Sequence, residues 1–219
     1  MAINGHNGNG NGNGHKWNAT KEVFSFIGAE SISIGAATVA YTFMDDLAPS
    51  AMKRISRVVS KTCIEPFLDT IEKGLTRCSS KDCKPDFTKS RQERAEQYAH
   101  YITRFGISAA ISVGTEWGAR NLFNHALKVK EPASNLAVTC LDKGLHLGLI
   151  IGANTVAAKQ TDTAIDITSN VLQKSLNWPK DRADRLADVT WRWEAANWIS
   201  AFVTSGYIFT RQVMGRGNH

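Results

Sequence analysis

Proline is scarce in this chain, with five residues among 219, and charged residues make up only 21%, below the quarter usual in soluble domains. The first shortage argues against a turn-rich β protein and for long uninterrupted helices. Cysteine is thin too. Cys63, Cys78, Cys83 and Cys140 offer one close pair, C-x4-C within CSSKDC, and neither doubled C-x2-C pairs nor cysteine beside closely spaced histidine, so no zinc or other metal site is expected. The four read as ordinary thiols, with a local disulfide between Cys78 and Cys83 as the alternative. No nucleotide-binding glycine loop, H-E-x-x-H helix, G-x-S-x-G elbow or paired-carboxylate motif occurs. No catalytic residue is therefore named, no cofactor is expected, and the chain leans away from being an enzyme. The net charge of +6 is mild, and its Lys and Arg are interleaved with Asp and Glu, so nucleic acid is not an expected partner. A basic segment leading into an apolar run and a small-residue cleavage site is absent, so no removable signal peptide is expected.

What the chain does have is long apolar stretches. Residues 1–17, MAINGHNGNGNGNGHKW, have little to bury and much backbone entropy to lose, and read as a disordered tail. Val23 to Met44 follows, with Glu30 as its only charge. After Pro49, apolar residues from Met52 to Leu75 recur at spacings of three and four with Lys53, Arg54, Arg57 and Lys61 between them, the pattern of an amphipathic helix. A third helical region starts near Lys89 and turns apolar and small from Phe105 to Phe123. A fourth runs from about Ser134 to Leu176, and a last follows Asn177-Trp178-Pro179 through Trp191, Trp193 and Trp198.

IGAATVA (Ile34 to Ala40) returns as IGANTVA (Ile151 to Ala157), 117 positions on. ERAE (Glu93 to Glu96) returns as DRAD (Asp181 to Asp184) at an offset of 88, which also aligns Arg104 with Arg192 and Ser112 with Ser200. Two echoes in the same order are the signature of a doubled unit. The expected fold is all-α: four long helices as two tandem, duplicated hairpins, 18–130 and 131–219, with an amphipathic segment (about 47–88) inserted in the first.

Small residues line one face of each apolar stretch at every fourth position. Gly106, Ala110, Gly114 and Gly118 form one seam, and Gly144, Gly148 and Gly152 another. Glycine inside a soluble helix costs about 1 kcal/mol relative to alanine, whereas close helix packing in a bilayer rewards it. Tryptophans near the ends of the apolar runs fit an interfacial belt. These features point to a membrane-embedded, multi-pass protein with four spans. The uneven distribution of Lys and Arg then places the segments after spans one and three in the cytoplasm or its equivalent, with both termini opposite.

Polar residues inside such spans are the candidates for function. Glu116 and Arg120 are four apart and can pair. Asp142 and His146 share that spacing, which allows a carboxylate-oriented imidazole, although a helix-end pair with no role is the preferred reading. Asn154 replaces Ala37 in the repeated heptad and offers an interhelical hydrogen bond. Glu30 faces Leu147 in the repeat and is not a duplicated feature. The function expected is that of a small non-enzymatic membrane protein in membrane organisation, assembly or solute passage, with the lipid bilayer and a protein partner or second copy as its neighbours. The alternatives are a soluble helical-bundle adaptor that binds a partner through the 47–88 insertion, and an intramembrane enzyme using Glu116, Arg120, Asp142 and His146.

Overall fold

The computed structural model describes residues 11–75, 85–133 and 135–214, and among these the chain is all-helical, with no strand. Eight α-helices are present: α1 Asn11–Leu47, α2 Pro49–Val59, α3 Leu68–Leu75, α4 Arg91–Ala126, α5 Leu136–Val156, α6 Ala158–Leu176, α7 Lys180–Asp188 and α8 Ala195–Met214. Wide π turns at Ser60–Ile64 and Val189–Glu194 continue α2 toward α3 and α7 into α8. α1 begins at Asn11, within the stretch assigned to the tail, and the side chain of Asn18 anchors it by exchanging hydrogen bonds with the Lys130 backbone at 2.8 and 2.9 Å. Cys78 and Cys83 lie outside the described residues, as does the side chain of Asn154, whose backbone is helical.

Local chemistry explains the boundaries. Ser90 caps α4 by accepting from the Glu93 amide while Glu93 reaches back to the Ser90 amide at 2.8 Å, which satisfies two otherwise orphaned donors. Asn135 caps α5 through the Val138 amide at 3.2 Å. Pro49 sits in the first turn of α2, where its missing N–H costs nothing. Asn177 ends α6 with φ of 51°, a left-handed conformation that asparagine tolerates better than most residues.

α1 packs along α4 and α8, α5 packs on α8, α6 pairs with α7, and α2 with its π turn lies on the beginning of α4. The interior is not an ordinary apolar core: among the described residues, more buried side chains are polar or charged than apolar. Helix α4 shows why. In its first turns it buries Ala95 and Ala99 against Ile64 and Leu68, with charges outside, as a surface helix in water does. From Thr103 onward its buried positions are Thr103, Ser108, Ser112, Glu116, Arg120 and Asn124, and its exposed ones include Trp117 and Leu122. The helix thus reverses its polarity part-way along.

The glycine seams do not pack helices within the chain. Every glycine of the two rows, and Ala110 with them, is exposed, and nothing stands within 4 Å of where a Cβ on those glycines would be. Spacing by four gathers residues on one face without fixing which face turns inward, and the polar residues have taken the inner one. Close approach occurs instead at Gly28, whose added Cβ would lie 3.0 Å from the ring of Phe123. Two helices, over Lys16–Leu47 and Leu136–Ala153, are long and apolar enough to cross a membrane. α4 and α8 do not meet that mark, and both carry polar residues on their buried faces.

Candidate functional site

The inward faces of α1, α4, α5 and α8 meet at a buried charged cage. α1 supplies Glu30, α4 supplies Glu116 and Arg120 one turn apart, and α5 supplies Asp142 and Lys143. The Lys143 ammonium lies at the centre, 2.8 Å from Glu30 Oε1, 3.0 Å from Glu116 Oε2 and 3.7 Å from Asp142 Oδ2, and it also donates to Asn197 of α8 at 3.3 Å. All three carboxylates are fully buried. Arg120 pairs with Glu116, donates to Thr139 at 3.3 Å, and lies 4.3 Å over the ring of Phe26. Asp142 accepts a 2.7 Å hydrogen bond from Thr204.

Such a cage stands only because each charge has a partner, since burying an isolated ion costs several kcal/mol even after relaxation. The pairing is nonetheless incomplete. Three carboxyl groups face two cations, Lys143 and Arg120, so one carboxyl group has no cation of its own. Glu30 Oε2 and Asp142 Oδ2 have no hydrogen-bond partner among the described residues. One oxygen from each of the three carboxylates lies within 4.8 Å of the others, a spacing that suits hard-cation coordination by oxygen.

Beside the cage is a cavity of about 220 Å³ whose walls include Thr38, Ser112, Lys143, His146, Trp193 and Glu194. The π turn at Val189–Glu194 delivers two of these walls. Trp193 stands between Phe105 and His146, with ring centroids 4.0 and 5.0 Å away. Glu194 accepts from Thr38 at 2.6 Å. His146 is buried, and its Nδ1 has no partner among the described residues.

Of the residues expected from the sequence, Glu116 and Arg120 do pair, and Asp142 joins them from another helix. The Asp142–His146 couple that the spacing allows is not formed: Asp142 turns to Thr204 and Lys143, while His146 lies against the tilted ring of Trp193 and bonds the Ala196 backbone. Four-residue spacing permits that pair, but the two side chains diverge toward different neighbours. Residue spacing alone singles out neither Lys143 nor Glu30 as a member of the cage. Their signal was present, because Lys143 is the only Lys or Arg in α5 and Glu30 the only charge from Val23 to Met44.

Two ion pairs brace the far ends of the helices. Asp45 meets Arg104 at 2.5 Å and Asp162 meets Arg192 at 2.7 Å. Asp45 and Asp162 are 117 positions apart, Arg104 and Arg192 are 88 apart, and these are the two offsets of the sequence echoes. The chain matches no protein-family model, no curated protein and no solved structure.

Proposed function

We propose that this chain is a small polytopic membrane protein, without enzymatic activity, that serves solute passage, with the cage of Glu30, Glu116, Asp142 and Lys143 in the solute's path. The observation that carries this reading is the reversal of α4. A helix that buries alanine under a charged exterior at one end, and buries Ser112, Glu116 and Arg120 under Trp117 and Leu122 at the other, suits a passage from water into lipid, where apolar groups face outward and ionisable groups turn to the bundle interior. α8 supports the same reading: Phe202 and Val203 face out, and Asn197, Ser200 and Thr204 face in. Four spans then correspond to α1, α4, α5 and α8. Several of the polar residues that lower the apolarity of α4 and α8, among them Ser112, Glu116, Arg120, Asn197 and Thr204, are inward ones.

The same proposal takes the two hairpins as duplicates. The matched pairs Asp45–Arg104 and Asp162–Arg192 are its main support, because they join equivalent helices at equivalent positions. The segment from Met52 to Leu75 exposes Ile55, Val58 and Phe67 near Lys53, Arg54, Arg57 and Lys61, a combination suited to lying on an anionic lipid surface. The positive-inside rule puts that segment on the cytoplasmic or equivalent side.

Alkaline carbonate extraction of membranes from cells that express the full chain tests the reading. Retention in the pellet, together with flotation alongside lipid, is the expected result. Recovery in the supernatant would exclude the embedded helices and favour the soluble adaptor.

A further inference from the structure

The cage and the cavity meet at one side chain. Lys143 holds the centre of the three carboxylates and also forms part of the cavity wall. Its side chain is 15% exposed, whereas Glu30 and Glu116 are fully enclosed. A lysine ammonium is a compact charge on a flexible stem, so it can leave the cage for the cavity by rotating its own side chain, with no helix displaced. What it leaves behind is three carboxylate oxygens within 4.8 Å of one another, with Arg120 as the remaining cation beside them.

The cavity is fitted for the same sign of ligand. The π faces of Phe105 and Trp193 attract cations, Glu194 adds a further carboxylate, and the unpartnered Nδ1 of buried His146 offers a lone pair. An anion entering here would meet the carboxyl groups of Glu30, Glu116, Asp142 and Glu194 and only one accessible cation, itself already paired. Resting on the solute-passage reading above, we propose that the Glu30–Glu116–Asp142 cage is an exchangeable binding site for a small monovalent cation, an alkali-metal ion or a primary ammonium, and that Lys143 is a tethered substitute which the entering cation displaces into the cavity. No bond is made or broken; one cation replaces another among the same oxygens.

The test uses the full chain reconstituted in phosphatidylcholine vesicles, with insertion first checked by carbonate resistance. Tryptophan fluorescence is then titrated with sodium chloride, potassium chloride and methylammonium chloride, against N-methylglucamine chloride as a control for ionic strength. A saturable change with at least one of the three is expected, and it should vanish in Trp193→Phe. The active salt distinguishes a metal ion from an ammonium. Lys143→Gln, which removes the resident charge at similar length, should tighten binding about tenfold or more, and Glu30→Gln should weaken it by a similar factor. Inserted protein whose wild type and Lys143→Gln forms show no saturable response to any of the three salts would overturn the cation site while leaving the membrane reading intact. Failure to insert would overturn both. A Lys143→Gln variant that binds more weakly than wild type would overturn the role of Lys143 as a substitute cation.

Discussion

The two halves of the proposed repeat agree at their ends and differ in their middles. Asp45–Arg104 in the first has its counterpart in Asp162–Arg192 in the second, at matching positions and with nearly equal lengths. The cage residues have no such counterparts. At the same offsets, Glu30 faces Leu147, Glu116 faces Thr204, Asp142 faces Ser25 and Lys143 faces Phe26. Each charged member of the cage therefore has an uncharged residue at the equivalent place. On the proposed doubling, the two halves share their bracing, and what they do not share is gathered into one site at their junction.

The comparison breaks most sharply at Arg120. Arg120→Leu leaves Glu116 buried beside two further carboxylates with only Lys143 as a cation, and is expected to cost about 3–5 kcal/mol in denaturant unfolding followed by circular dichroism. The double variant Glu116→Leu with Arg120→Leu removes both partners and should lose clearly less than the sum of its parts. Next come the braces. Double-mutant cycles on Asp45 with Arg104 and on Asp162 with Arg192 should return couplings equal within about 0.5 kcal/mol, each roughly 1–3 kcal/mol. Strongly unequal couplings would separate the hairpins.

A smaller effect is expected where the hairpins differ in capping. α4 starts on Ser90 with a full capping box, whereas α7 starts on Pro179 with no side-chain cap, so Ser90→Ala should cost about 1 kcal/mol. The Ser90 hydroxyl and amide hold the exposed Glu93 carboxyl below its usual range. Its share of stability is therefore present above the unfolded value of about 4.3 and is lost as pH falls through the lowered folded value. Helicity of the Ser90→Ala variant should accordingly show less change than wild type over that acid range. Smallest of all is Gly148→Ala. With nothing near the added methyl, it should stabilise the chain by up to about 1 kcal/mol, and a loss would reveal a neighbour packed on the outward seam.

The same residues show what a sequence alone can convey. Helical content was legible from scarce proline and long apolar runs, and the Glu116–Arg120 pair from its spacing, because both depend on local geometry. The direction of the glycine rows was not. Spacing by four gathers Gly106 to Gly118 on one face, but only the partners of the opposite face, Ser33 to Ser112 at 2.7 Å and Glu30 to Lys143 at 2.8 Å, fix which side turns inward. Those partners are 79 and 113 residues apart, beyond the reach of any local pattern. Lys143 escaped for the same reason, since three of its four close oxygens come from other helices.

Nitroxide labels on Phe202→Cys, Leu122→Cys and Ser112→Cys, in a background with the four native cysteines changed to serine, test the inverted bundle most directly. Phe202 and Leu122 are exposed and Ser112 is buried. In reconstituted vesicles, labels at the first two positions should collide with dissolved oxygen far more than with a water-soluble nickel chelate, as lipid-facing groups do, while the label at Ser112 should be shielded from both. Nickel collisions that dominate at Phe202 and Leu122 would place those faces in water and contradict the account.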